Sequence, residues 1–416
     1  MTRSGLLRAS LTLLAGGALS QVIPLALAPL LTRLAAPAEF GLYHTFAAVA
    51  ANVAVVACAR FEFALPLARD DDEARAITRL ALAILTAVSL VALAAGLLWA
   101  WLAGAAWPLA LPLAVAGLGL LSLAGLRATR EQRFSALARS RVVHQGGGAV
   151  MQLLLLWLQW GTMGLIAGPI CAAWAAAAVA GGVPARAAFA ERAQVLEAAR
   201  RHRDFPLLNT PHAFLGALQD TLAIALVAAW AGPAAAGSWG LCMRILKAPA
   251  TLVGGAVSQP LYAQLSEQVG TDGTGSGCAS ASARASVVRV MALLGLLAAP
   301  GVMLLLWGGP ALFVWAFGAA WHDAGMLAAA LALYIGVHFV ASPLGVVTMA
   351  WQAQGFALRI AVVGQVIFLV ALCAGLAWGG LVAAGWAVSV AMSGFFAVYF
   401  WRLARWPLTM PRTERA

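Results

Sequence analysis

Two apolar stretches carry polar residues at helical spacing, and they are the places where this chain could do chemistry. In GLCMRILKAPATLVGGAVSQPLY, the residues Arg244, Lys247, Thr251, Gly254, Gly255 and Ser258 fall within about one third of a helix circumference, opposite an apolar face. In FPLLNTPHAFLGALQDTLAIALVAAW, a second stripe holds Asn209, His212, Gly216, Gln219 and Asp220. A charge at mid-membrane costs about 2.5 to 3.5 kcal/mol, so these groups must face one another or a wet cavity. Counted from Ala234, Asp220 lies 14 residues back and Lys247 lies 13 forward, at similar depth. Two readings follow. Asp220 and Lys247 form an ion pair that locks two helices, which leaves Arg244 unpaired. Alternatively, Arg244 and Lys247 form a cationic wall for an anionic substrate, with Asp220 as a charge-balancing or proton-carrying group.

The other charge-rich stretch, RFEFALPLARDDDEAR, runs from Arg60 to Arg75. Its three aspartates suggest either a metal site or a helix start. A metal-dependent transferase would need a catalytic domain around the acids, and the sequence supplies none. Asp70, Asp71, Asp72 and Glu73 are therefore expected to cap the helix that follows, with Asp71 and Arg75 spaced for an i,i+4 pair. The five cysteines show no metal-ligand spacing, and no phosphate loop, HExxH helix or nucleophile elbow appears. No cofactor, metal or nucleic-acid partner is expected.

The elements that position these residues are set by hydrophobicity. Of 416 residues, 63% are hydrophobic and 10% charged, against about half apolar in globular chains. A span needs roughly 20 apolar residues. That scale predicts twelve transmembrane helices, near 10–31, 40–59, 77–102, 107–126, 142–160, 162–183, 207–230, 238–263, 286–308, 325–350, 357–378 and 380–401. MTRSGLLRAS reads as the start of the first span and not as a cleaved signal. That helix carries Gln21 on a face with Ser10, Gly17 and Pro24, and Pro24 with Pro29 predicts a kink, either of a gate or static. Alternating loops place all basic residues but Arg33, Arg244 and Lys247 on one side, 23 of 26. By the positive-inside rule that side is cytoplasmic, as are both termini. The outer connections are short, the longest being GPALFVWAFGAAWHDAG, and GTDGTGSGCASASA reads as a flexible inner linker.

The fold expected is an all-α polytopic membrane protein with two six-helix bundles, at 1–183 and 207–416, joined by a basic cytoplasmic linker at 184–206. PAEFG at Pro37 to Gly41 recurs as PAAAG at Pro233 to Gly237. Each joins the first two helices of its half, which predicts a pseudo-two-fold axis along the membrane normal.

Six stretches carry a resemblance that runs in order through nearly the whole chain: LLTRLAAPAEFGLYHTF, RFEFALPLARDDDEA, RDFPLLNTP, GPAAAGSWGLCMRILKAPATLVGGAVSQPLYAQLSE, AFGAAWHDAG and SPLGVVTMAWQAQG. They resemble the bacterial lipopolysaccharide and O-antigen flippases of the polysaccharide transporter family, within the multidrug/oligosaccharidyl-lipid/polysaccharide (MOP) exporter superfamily. The resemblance implies a MATE-like pair of bundles in the inner membrane with alternating access to a cationic cavity. It implies an undecaprenyl-diphosphate-linked oligosaccharide as substrate, and membrane lipids and polysaccharide assembly proteins as partners. It carries most firmly to Arg60 and Glu62 of RFE and to Arg244 and Lys247, with Gln21 and Asn209 as further cavity candidates. The chain departs from the pattern in its Gly/Ser-rich inner loop and its near absence of lysine. A multidrug or cation antiporter would favour acidic over basic groups in the helices, whereas the two polar helices here hold one acid and two bases. A membrane glycosyltransferase or polymerase would need a larger loop with catalytic acids.

Overall fold

The computed structural model describes residues 3–183, 191–271, 280–351 and 353–407. Most of GTDGTGSGCASASA lies outside them, as do Arg186, Cys278, Arg412 and Arg415. Among the described residues the chain is helical throughout: α1 (Arg3–Leu34), α2 (Pro37–Val56), α3 (Asp71–Ala103), α4 (Leu111–Arg130), α5 (Phe134–Val142), α6 (Gly148–Trp157), α7 (Gly161–Val179), α8 (Arg192–Arg201), α9 (Thr210–Thr271), α10 (Ala281–Phe317), α11 (His322–Ala350) and α12 (Gln354–Ala404).

Among the described residues, nine helical segments are long and apolar enough to cross a membrane. Two of these are double. α9 is interrupted at Gly232, whose φ of 84° no other residue type adopts freely, and α12 at Gly379 and Gly380. Counting each of these as two gives eleven. The twelfth is α5 and α6, which run on through a π-helical turn at Val143–Gly147. The twelve predicted spans are thus all present. One expectation fails: GPALFVWAFGAAWHDAG is no loop. α10 continues through Pro310 to Phe317, and only the short 3-10 turn Ala319–Trp321 separates it from α11. The apolar run to Phe317 prefers helix to a loop with exposed backbone groups in lipid, and the Phe313 and Phe317 rings meet in a tilted arrangement with centroids 5.1 Å apart.

The helices divide into two compact units, Met1–Ala228 and Ala229–Ala416. The first half of α9 thus belongs to the first unit, where Thr221 Oγ1 donates to the Ala48 carbonyl of α2 at 3.1 Å. The repeat noted in sequence has a local counterpart. Pro37 opens α2 at its first turn, with Glu39 Oε2 accepting from the Ala36 N–H at 2.9 Å, and Pro233 opens the second half of α9 just after Gly232.

In the first unit, α1 packs on α5 and α6, while α4 packs on α2, α3 and α7. Its core joins Phe46, Leu65, Ile77, Leu85, Val115, Leu123 and Ile166 to many alanines, the small residues that let membrane helices approach closely. The two ends of this unit differ in chemistry. Trp101, Trp157 and Trp160 are exposed where α3 and α6 finish. Arginines gather where α4 and α7 finish. There Arg133 Nη2 donates to the Ala180 carbonyl at 2.6 Å and Arg127 Nη1 to the Gly182 carbonyl at 3.4 Å, covering the open end of α7.

In the second unit, α11 lies between α10 and α12 and is the most buried of the described spans. Ser389 Oγ of α12 donates to the Ala330 carbonyl at 2.6 Å. Such a bond between helices contributes about 0.6 kcal/mol in a membrane.

Candidate functional site

The RFE turn connects α2 to α3 in the first unit. Ala59 and Arg60 both adopt left-handed backbone, with φ of 46° and 61°, at a cost of about 1 to 2 kcal/mol per residue. The 3-10 helix Phe61–Leu67 follows, and Glu62 is carried inward until only 2% of it is exposed. Its Oε1 accepts from Ser122 Oγ of α4 at 3.3 Å, while Oε2 has no partner. The Arg60 guanidinium lies over the Phe63 ring at 4.5 Å, and its Nε is likewise buried without a partner. Burial pushes the Glu62 carboxyl above its ordinary range, and this outweighs the opposing pull of a backbone hydrogen bond, Arg60 and Ser122. Glu62 lies between the spans Pro37–Val56 and Asp71–Ala103.

This burial gives a pH prediction. With the folded value above the unfolded one, Glu62 is neutral and without penalty at low pH, and it destabilises the fold as pH rises through the folded value. Glu62→Gln is therefore expected to raise the melting temperature more at pH 8 than at pH 5. A shift equal at both pH values would refute the assignment.

The Phe205–Asn209 π-helical turn packs against the RFE segment, so the structure brings Asn209 to the same end of the unit as Arg60 and Glu62. Asn209 is exposed and lines a pocket of about 340 Å³ with Asp204, Phe205, Leu208 and His212. Gln21 is half-buried on α1, which packs on α5 and α6. Asp220 is exposed on the first half of α9. In the second unit, Arg244 and Lys247 are both half-buried, one turn apart on the second half of α9. Among the described residues Arg244 makes no hydrogen bond or ion pair. Further along the same stripe the hydroxyls bond back to their own helix. Ser258 Oγ donates to the Gly254 carbonyl at 2.6 Å, and Thr251 Oγ1 to the Ala248 carbonyl at 2.8 Å.

The acidic run is a helix start, and its partners differ from the predicted ones. Asp70 Oδ1 accepts from the Glu73 N–H at 2.7 Å, and Glu73 Oε2 accepts from the Arg69 N–H at 2.8 Å. This is a variant of the capping box in which Glu73 reaches the N–H of the residue before the N-cap, and the N-cap alone is worth about 1 kcal/mol. The expected pair of Asp71 and Arg75 does not form. Arg75 bonds Asp72 one residue nearer. Asp71 is claimed by Arg130 of α4 at 3.0 Å, whose guanidinium also donates to the Leu65, Ala68 and Asp70 carbonyls. A cation in reach of a loop's free carbonyls satisfies more acceptors there than it would on its own helix.

Sequence reasoning missed two groups. Ser122 carries no pattern that marks it. Glu73 also receives Arg201 at 2.9 Å and His202 at 3.1 Å from α8, docking part of the segment expected to be a linker onto the first unit. The capping-box spacing of Asp70 and Glu73 signals the first role of Glu73 and not the second.

Comparison with known proteins places this architecture. Among solved structures, the chain is similar to an inward-facing multidrug resistance MATE family transporter of the MOP superfamily, at TM-score 0.64 and 12% identity over 95% of this chain and 93% of that one. It is similar to the lipid II flippase MurJ in an inward closed conformation, at TM-score 0.65 and 10% identity over 94% and 89%. A third is a MOP superfamily transporter from Pyrococcus furiosus, described as having a binding pocket of reversed polarity, at TM-score 0.57 and 13% identity over 95% and 94%. At these identities the likeness is one of fold. No curated protein matches the chain. The profile of one family, described as polysaccharide biosynthesis protein, matches residues 30–326, which hold the RFE turn, the capping box and the Arg244–Lys247 stripe. With well over half its length matched, this chain belongs to the polysaccharide biosynthesis protein family.

Proposed function

We propose that the protein is a flippase that moves an undecaprenyl-diphosphate-linked oligosaccharide from the cytoplasmic to the periplasmic leaflet of the bacterial inner membrane. It does so by alternating access, for lipopolysaccharide or exopolysaccharide assembly, with both termini cytoplasmic. The observation that carries this reading is Arg244, a half-buried cation on a membrane-spanning helix with no hydrogen bond or ion pair among the described residues, one turn from Lys247. A diphosphate carries about two negative charges, and guanidinium and ammonium groups in a low-dielectric site bind it far more strongly than in water. Family membership supports a saccharide-linked substrate over a drug, and the fold shared with MurJ supports transport over group transfer.

In this proposal Arg244 and Lys247 hold the diphosphate. Arg60, Glu62, Gln21 and Asn209 supply further polar contacts along the path, and Asp220 balances charge or carries a proton. Residues 1–183 and 207–416 act as the two moving bundles, and polysaccharide assembly proteins receive the product. No covalent bond is made or broken, so direction must come from an ion gradient, the membrane potential or removal of product outside.

The test is to deplete the protein, extract lipid-linked intermediates and identify by mass spectrometry what accumulates. An undecaprenyl-diphosphate oligosaccharide building up on the cytoplasmic side is the expected result. Normal levels of every such intermediate would overturn the reading and favour drug export.

A further inference from the structure

α8 has two faces. At 100° per residue, Val195 and Ala198 lie on one side, Arg192, Leu196 and Arg200 share an arc of about 80° on the other, and Ala199 sits at the border. The first face is docked: Ala198 is 3% exposed and packs into the core that holds Leu65 and Ile77. Arg201 and His202 fasten the same end to Glu73, and Glu197 is spent on Arg201 at 3.2 Å. The second face is open. Arg192, Leu196 and Arg200 are exposed, as is Arg203 in the turn that follows. Among the described residues none of these three arginines makes an ion pair.

The depth of this face is fixed from both sides. α8 is tied to the first turn of α3, where one span begins, and a few residues after α8 the chain enters the next span at Phe205. Leu207 and Leu208 are exposed there. The open face therefore sits at the boundary between water and hydrocarbon, where Leu196 can enter the acyl region while the guanidinium groups stay among headgroups.

We infer that the open face of α8 is a binding surface for anionic phospholipid headgroups of the adjoining leaflet. Three arginines around one exposed leucine, held at headgroup depth, match a negatively charged lipid surface and not a neutral one. The neighbouring acids leave the three arginines in excess: Glu197 is paired with Arg201, Glu191 stands at the N-cap where it opposes the helix dipole, and Asp204 lines the pocket beyond the turn. This inference requires only that the chain spans a membrane and is independent of the transported substrate.

The test uses the full chain in nanodiscs of equal phosphatidylglycerol and phosphatidylcholine, with retained lipids counted by native mass spectrometry after release. The wild type is expected to keep phosphatidylglycerol preferentially. Combined Arg192→Gln, Arg200→Gln and Arg203→Gln substitutions are expected to reduce that preference by about tenfold or more, since each arginine near an anionic surface contributes about a fivefold preference. Lysine at the same three positions should retain it. An unchanged lipid ratio in the glutamine variant, at wild-type melting temperature, overturns the proposal. If that variant fails to fold, hydrogen exchange of wild-type residues 192–203 decides: slower exchange in phosphatidylglycerol than in phosphatidylcholine supports the surface, and equal exchange overturns it. Slowing by inorganic phosphate to the same degree would show a free-anion site and also overturn it.

Discussion

Arg244→Glu or Lys247→Glu is expected to abolish export of the lipid-linked glycan while the protein accumulates in the membrane at its normal level. Each substitution changes a charge-assisted contact with a diphosphate into a repulsion. With about 1.5 to 3 kcal/mol for a hydrogen bond to a charged group and a similar opposing term, transport should fall by a hundredfold or more. Arg244 is the sharper probe, because it has no hydrogen bond or ion pair among the described residues to lose. Measured together, surface polysaccharide and membrane protein level separate failure to transport from failure to insert. Unchanged surface polysaccharide at normal protein level would remove the cationic stripe from the mechanism. Arg244→Lys, which keeps charge but loses the planar fork, should retain part of the activity.

Gly325→Leu is expected to destabilise the second unit strongly. A side chain begun at Gly325 of α11 would meet Pro310 Cα at 2.6 Å and the Gly309 carbonyl oxygen at 2.8 Å, both backbone atoms of α10. Neither can rotate away as a side-chain tip would, so the two helices must separate along a contact that α11, buried on most sides, cannot yield. Overpacking of a well-filled core costs about 1 to 3 kcal/mol and sometimes more, and the loss of backbone contact puts this case at the upper end. Thermal unfolding of the detergent-solubilised protein reads the effect. Gly345→Ala on the same helix is the control: nothing lies within 4 Å of the added carbon, so helix propensity alone should act, by up to about 1 kcal/mol in the stabilising direction. Equal melting temperatures for Gly325→Leu and the wild type would show that the approach of α10 and α11 is not needed.

Much of this fold is legible in the sequence because lipid leaves few choices. With no water to satisfy a free backbone, an apolar run of sufficient length must be helical, and that alone locates all twelve spans. The same rule explains the error at GPALFVWAFGAAWHDAG, expected as an outer connection, where the apolar residues favour continued helix to Phe317. The capping role of Asp70 follows from its position before an apolar run. Its neighbours' partners do not, because whether Asp71 meets Arg75 or Arg130 depends on which helix end stands closer. The RFE turn was found by resemblance. Its burial of Glu62 against Ser122 has no local pattern to reveal it, since Ser122 lies 60 residues away on an unremarkable stretch of α4. The docking of α8 was hidden for the same reason.

The contrast between the two ends of the first unit limits how it can move. Tryptophan anchors at headgroup level resist displacement along the membrane normal in either direction, and the arginines at the opposite end resist being drawn into hydrocarbon. A piston stroke of one helical turn, about 5.4 Å, would carry one set or the other out of its layer. Rocking about an axis in the membrane plane shifts helix ends far less in depth near that axis. A unit pinned in this way behaves as a lever and not as a plunger, and its working motion should appear as a change of tilt at constant depth.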